Sequence, residues 1–440
     1  MSAILSMPAP LGAAAASRRR QSGYLVFAAL SLASSISAAG TALTLPEAQQ
    51  LALQRTRQLA VHDLSADAAR QMAVAAGQLP DPVLKAGIDN LPVSGGERFN
   101  LGADFMTMRR VGISQELTSI DKRRRRAELY GEEAAKALAA RSAATTRIER
   151  ETALAWLECH FAREVEKLIG EQVVQARHEI EAAEAAYRGG RGSLADIAAA
   201  RGALAAVQDS ASEAAQRRRS AALVLTRWTG ADAGHQLAEP PAMDTLRTDA
   251  ASLETALPHH PDIALLTQQE RIARAEANLA EAGKKLDWSV EVAFQQRGSG
   301  YANMVSVGVS VPLQWDRPHR QDRELAAKLA LADAAKAERE ETQRGHLVEI
   351  RSMMNEWESG RERYRRYTDD LLPLARQRTE ATLAAYRGGK ASLSELLAAR
   401  RGETDAGLRA LQLQAQTARL WAQLNYLLPS GAGNSDPEAK

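Results

Sequence analysis

Ala185-Ala186-Tyr187-Arg188-Gly189-Gly190, followed by Ser193-Leu194 and Ala199-Ala200-Arg201, returns later as Ala384-Ala385-Tyr386-Arg387-Gly388-Gly389, followed by Ser392-Leu393 and Ala398-Ala399-Arg400. Asp196-Ile197 in the first copy answers Glu395-Leu396 in the second, at the same offset of 199 from Tyr187 to Tyr386. The phrase reads as the tip of a helical hairpin. A Gly-Gly turn ends a long helix because glycine tolerates positive φ. A serine N-cap with an acid three residues on, a capping box or close variant, then starts the next one. A repeat this long is no solenoid unit; it predicts two similar halves.

Proline and glycine punctuation extends the pattern outward. Pro46 and Pro80 bracket a first helix of about 34 residues. A second runs from Asp121 to Tyr187 and a third from Ser193 to Trp228, ending at Thr229-Gly230. The second half is expected to carry helices at Pro261 to Lys285, Pro318 to Tyr386, with a bend at Pro373, and Ser392 to Leu427. At 1.5 Å per residue, the first and third helices laid end to end match the second, at roughly 100 Å. Helices this long with scattered apolar positions predict antiparallel coiled-coil pairs in a rod.

Four strands fill the gaps: Val83 to Leu91, Arg109 to Leu117, Trp288 to Gln296 and Met304 to Leu313. Val305, Val307, Val309 and Val311 alternate with Ser306, Gly308 and Ser310, and Val290, Val292 and Phe294 alternate with Glu291 and Gln295. Leu84, Ala86 and Ile88 likewise oppose Lys85, Gly87 and Asp89. Such strands fit a membrane β-barrel, the valines of the last strand facing lipid. A soluble sheet packed on helices shows the same period. Phe99, Phe105, Trp288, Phe294 and Trp315 fall near strand ends, as interfacial aromatics would. Four strands cannot close a membrane barrel, so the barrel reading demands several copies.

The formal net charge of +2, with 25% charged residues, marks no nucleic-acid binder. Alanine-rich, aromatic-poor composition suits close-packed helices. Arg18-Arg19-Arg20, an apolar run from Tyr24 to Ala33 and small residues to Ala42 read as a signal peptide over 1–42. The two repeats are expected over 43–245 and 246–429, with a disordered tail over 430–440. The single cysteine, Cys159, excludes an intrachain disulfide and leaves no N-terminal cysteine for lipid attachment.

From Leu43 to Pro429 the chain resembles the TolC-like outer-membrane efflux family. The duplicated plan, the paired Val111-Gly112-Ile113-Ser114 and Val307-Gly308-Val309-Ser310 strands, and the two Tyr-Arg-Gly-Gly tips carry the resemblance. It implies a mainly α fold, an α-barrel tunnel of coiled coils with four β-strands per protomer. It also implies a homotrimer in outer-membrane lipid with a twelve-stranded barrel and a tunnel reaching into the periplasm. A periplasmic adaptor would bind the tips, and an inner-membrane pump of the resistance-nodulation-division type would supply energy. The implied function is a passive duct, with no enzyme activity and no cofactor. Leu79-Pro80-Asp81-Pro82, Asn90-Leu91-Pro92 and Met106-Thr107-Met108 resemble the heavy-metal resistance branch, which implies metal cations as cargo. Drugs or secreted protein are the alternative cargo.

Asp196 and Glu395 fall where family members carry constriction carboxylates, so three copies would place six acids around the entrance. An acid three residues after an N-cap also simply caps the helix, and both roles stay open. A second family acid one turn later falls on Ala398. Arg188, Arg387 and Lys390 are candidates to tether neighbouring helices or meet the adaptor. Tyr187, Gly189, Gly190, Ser193 and Leu194 would form one adaptor contact, and Tyr386, Gly388, Gly389, Ser392 and Leu393 the other. Arg201 and Arg400 are expected in inter-helix ion pairs.

No metal site is expected. His259-His260-Pro261, Cys159-His160, and Met106 with Met108 on one strand face all lack zinc-type spacing. Gly189-Gly190-Arg191-Gly192 lacks the Lys-Ser/Thr of a phosphate loop. Lys122 to Arg126 reads as a solvated or barrel-proximal basic collar. A periplasmic coiled-coil scaffold or adaptor that never enters a membrane is the rival class.

Overall fold

The structure, a computed structural model, describes residues 42–231 and 236–429. The expected signal peptide, save Ala42, and the C-terminal tail lie outside the described residues.

The longest element is α3, Ile120–Arg188, 69 residues without interruption. Ser119 starts it by accepting the Lys122 N–H on its hydroxyl. Along one half of α3 lie α1 (Leu45–Arg55) and α2 (Gln58–Ala76); along the other lies α4 (Leu194–Thr229). After the short α5 (Ala250–Thr255) and a 3-10 turn at Leu257–His259, the plan repeats. Helix α6 (Pro261–Gly283) packs on α7 (Gln321–Arg366), and α8 (Leu372–Arg387) on α9 (Leu393–Asn425). The halves meet where α3 packs against α6 and α9.

The first helix departs from expectation. It breaks at Thr56, whose backbone is extended and whose hydroxyl accepts the Gln58 N–H at 3.2 Å to restart the chain as α2. The break gives each segment its own packing direction. Leu45, Ala48, Gln49 and Ala52 of α1 go under cover, whereas α2 buries only Ala66. In the second half Pro373 is accommodated by a π-helical turn at Tyr367–Leu371, since proline lacks the N–H that a regular turn requires.

Small residues dominate the buried positions, as rods without a globular centre require. Larger side chains gather in patches. In the middle, Trp156, Leu157, Phe161, Trp357 and Trp421 pack with Ala153, Ala222, Ala418 and Ala422. Both Trp156 and Trp421 donate their indole N–H groups to backbone carbonyls, of Leu43 at 3.0 Å and Thr245 at 2.8 Å. A second patch joins Leu253, Leu257, Ile350, Leu427 and Leu428. A third lies at the tips.

At the opposite end from the tips, β1 (Val83–Asp89), β2 (Met108–Leu117), β3 (Trp288–Gln296) and β4 (Met304–Ser310) form one antiparallel sheet in that order. Strand β1 ends early because Asn90 takes a positive φ of 55°. Strand β4 stops before Val311, since the following Pro312 has no N–H to extend the ladder; Val311 therefore lies just beyond the strand on which it was expected. Met106 likewise lies in the turn before β2, and so does not share a strand face with Met108. The basic collar sits where α3 leaves the sheet. Lys122 pairs with Asp287, and Lys285 reaches Asp121 at 2.6 Å, so the first turn of α3 is tied to the chain entering β3.

Candidate functional site

The register lines up whole rungs across the sheet. Leu84 faces Ile113, which faces Val292, which faces Val307, and these side chains are 70%, 56%, 50% and 70% exposed. The next rung is Ala86, Val111, Phe294 and Val305. This face is apolar and uncovered. A soluble sheet packed on helices would bury it, so the pattern is inverted relative to ordinary globular folding.

The other face is small and polar. Lys85, Gly112, Ala293 and Ser306 make one rung. A Cβ at Gly112 would stand 2.7 Å from that of Ala293, so only glycine fits while Ala293 opposes it. Beside this rung lies a charge cluster in which Lys85, Asp89 and Glu291 were legible on the polar face but not as partners, while Arg110 was not singled out. Glu291 pairs with Lys85 at 2.6 Å and with Arg110, and Arg110 also lies 3.8 Å from Asp89. The four charges sum to zero and tie three strands. Strands β1 and β4 each have one neighbour, which leaves both sheet edges unpaired. No helix among the described residues is long and apolar enough to cross a membrane.

At the far end both hairpins close as their sequence dictates. Gly190 and Gly389 take φ values of 71° and 70°. Ser193 Oγ accepts the Asp196 N–H at 3.1 Å, and Asp196 Oδ2 accepts the Ser193 N–H and hydroxyl, each at 2.8 Å. Glu395 repeats this: its Oε2 accepts from the Ser392 N–H at 2.7 Å and from the hydroxyl at 3.0 Å. These bonds, the backbone ones first, hold both carboxyls below their ordinary range. The caps use only Oδ2 and Oε2, so capping does not consume either carboxylate.

The two tips pack together. Leu393 and Leu396 meet Ala183 and Ala200, with Ile180, Ile197, Leu383, Tyr386 and Leu397 at the margin. Burial and the nearby Asp196 raise the Tyr386 hydroxyl above its usual range. Tyr187 and Leu194 of the first tip remain exposed. Arg201 pairs with Glu184 at 3.0 Å and Arg400 with Glu179 at 3.5 Å, each between helices. Arg188, Arg387 and Lys390 are exposed and make no ion pair among the described residues. Cys159 is buried, and His160 stacks on Trp156 at 5.7 Å. One cluster among the described residues, His260, Asp262 and His346, brings potential ligand atoms within 4.8 Å of one another.

No family model matches the chain, and no curated protein matches it. Solved structures do. The outer-membrane channel OprN superposes with a TM-score of 0.75 at 19% identity, covering 88% of this chain and 90% of OprN. The outer membrane protein VceC of Vibrio cholerae gives 0.72 at 19% identity, covering 87% and 95%. The CmeC outer membrane channel of Campylobacter jejuni gives 0.73 at 14% identity, covering 88% and 86%. At these identities the likeness establishes the fold, shared along nearly the whole length of each protein.

Proposed function

We propose that three copies of this chain form an outer-membrane duct, with the helices enclosing a tunnel that projects into the periplasm. The observation that carries this reading is the uncovered apolar face of a sheet with two unpaired edges. Open edges in hydrocarbon leave backbone groups unsatisfied at several kcal/mol each, and pairing β4 of one copy with β1 of the next removes them. Three such sheets give twelve strands, a size at which membrane barrels close. The apolar rungs then meet lipid and the Lys85–Glu291 face lines the pore. The same face argues against the periplasmic scaffold, which would hold it against water.

The tips are the docking end for a periplasmic adaptor, and an inner-membrane pump of the resistance-nodulation-division type drives transport. The duct itself performs no covalent chemistry. Gathered around an axis, Asp196 and Glu395 form an acidic ring whose free oxygens favour cations while their partner oxygens cap the helices. Heavy-metal cations are the proposed cargo, supported by the Leu79-Pro80-Asp81-Pro82 and Met106-Thr107-Met108 segments.

Carbonate extraction of membranes tests the duct: the chain stays with the outer membrane and purifies as a trimer, whereas release as a soluble monomer refutes the reading. Deleting the gene and scoring survival on zinc, cobalt, cadmium, copper and silver against a detergent and a dye tests the cargo. Unchanged metal tolerance with increased dye sensitivity assigns the duct to drugs instead.

A further inference from the structure

His260 caps α6 where the 3-10 turn Leu257–His259 ends, and the fold sets it against His346 of α7, with ring centroids 4.4 Å apart. A single oxygen, Asp262 Oδ2, lies 4.0 Å from His260 Nδ1 and 3.7 Å from His346 Nε2. The tautomers follow from the remaining contacts. His346 Nδ1 lies 3.2 Å from Glu349 Oε2. A carboxylate only accepts, so Nδ1 carries the proton and, in the neutral ring, the lone pair sits on Nε2. His260 Nδ1 accepts the Asp262 N–H at 3.3 Å, so its lone pair is on Nδ1. Two imidazole nitrogens and a carboxylate oxygen therefore converge, and the one proton directed among them is that of the long Asp262 N–H contact.

That arrangement offers a cation three donor atoms at one point. We infer that His260 Nδ1, His346 Nε2 and Asp262 Oδ2 bind one divalent transition cation of the zinc class, with Glu349 orienting His346 from behind.

The chemistry fits. Two imidazoles and one carboxylate suit Zn²⁺ and its borderline neighbours and disfavour Mg²⁺ or Ca²⁺. Metal–ligand distances of roughly 2.0–2.1 Å put tetrahedral donors about 3.4 Å apart, so the two separations from Asp262 Oδ2 close by well under ~1 Å. His260 exchanges its long bond to the Asp262 N–H for the metal. A carboxylate holding the far nitrogen of a ligand histidine is the usual outer-shell arrangement of such sites. Asp262 is exposed, which leaves water a fourth position.

The site fastens a connector. Helix α5 and the 3-10 turn after it are already tied to α7 by Glu254 and Arg351, in two bonds of 2.8 and 2.9 Å, and by Leu253 and Leu257 against Ile350. The ion adds a third tie at the joint where α6 begins. It is a held ion rather than a carried one, and the inference goes beyond the channel reading without resting on it.

The test is calorimetric titration of the full chain, stripped with chelator, with Zn²⁺ alone at neutral pH. One equivalent binds to the wild type and raises its thermal midpoint. His346→Gln, at the half-buried edge of the cluster, loses that equivalent and the thermal shift, with its fold checked by circular dichroism. Glu349→Gln, which touches no ion, weakens binding by roughly 10–100-fold. His319→Asn, outside the cluster, changes nothing. A wild type that takes up no Zn²⁺ at saturation overturns the site, as does a His346→Gln variant that binds like wild type. Either failure leaves membrane extraction and trimer formation as they were.

Discussion

Leu194 and Leu393 occupy equivalent positions in the two tips, yet Leu194 is 65% exposed and Leu393 4%. The second tip leans on the first through Leu393, whereas the first tip has no predecessor within its own chain. In a closed ring every tip has a neighbour on both sides, and the tip of an adjoining copy would cover Leu194. Leu393→Ala should cost about 2–5 kcal/mol and loosen the tip, seen as faster amide exchange around 383–400 in unassembled protein. Leu194→Ala should leave that exchange unchanged but lower the yield of trimer in native mass spectrometry. Equal trimer yields would remove Leu194 from the contact between copies.

The two faces of the sheet make opposite demands. Arginine in place of Val307, on the apolar face, should cost roughly 2–4 kcal/mol near the bilayer midplane and deplete the assembled protein in outer-membrane fractions. Arginine in place of the adjacent Ser306, on the polar face, should be tolerated and change only conductance. If both variants assemble equally well, the apolar face does not meet lipid.

Gly112 lies on the β2–β3 pairing, the one that joins the two halves within the sheet. Gly112→Ala should strain it against Ala293 and destabilise by about 1–3 kcal/mol. Adding Ala293→Gly should recover much of the loss. A double variant no better than the single one would show that the contact is not the source.

Asp196 and Glu395 give the tips a defined acid response. Their folded pKa values lie below the ordinary 3.8 and 4.5, so the unfolded tip takes up protons first as pH falls. The capping contribution is complete above those ordinary values and disappears as pH drops through the folded ones. Tip amide exchange, corrected for its intrinsic rate, should accelerate in that acidic window and stay flat from there to neutrality. Ser193→Ala with Ser392→Ala should flatten the response. In planar bilayers Asp196→Asn with Glu395→Gln should lower cation preference; unchanged selectivity would leave the acids as caps alone.

Much of this fold was legible because its punctuation is local. Gly-Gly turns, serine caps and strand alternation each lie within a few residues, so helix ends near Arg188, Ser193, Arg387 and Ser392 and all four strands could be placed. The break at Thr56 has no glycine or proline to announce it; it follows from how α1 meets the central core. Partners distant in the chain were also hidden. Lys85 meets Glu291 only through pairing of the two halves, and His260 meets His346 only through the packing of α6 on α7, which no spacing rule reports. Val311 shows the opposite case, since Pro312 beside it already marked the end of the ladder.

The free edges of β1 and β4 carry a genetic consequence. If copies close a ring by joining β4 to β1, a subunit whose β4 cannot be joined spoils any ring it enters, however sound its companions are. Co-expression of such an allele with the normal one should therefore leave few intact rings, and the damaged copy should act dominantly rather than merely fail on its own.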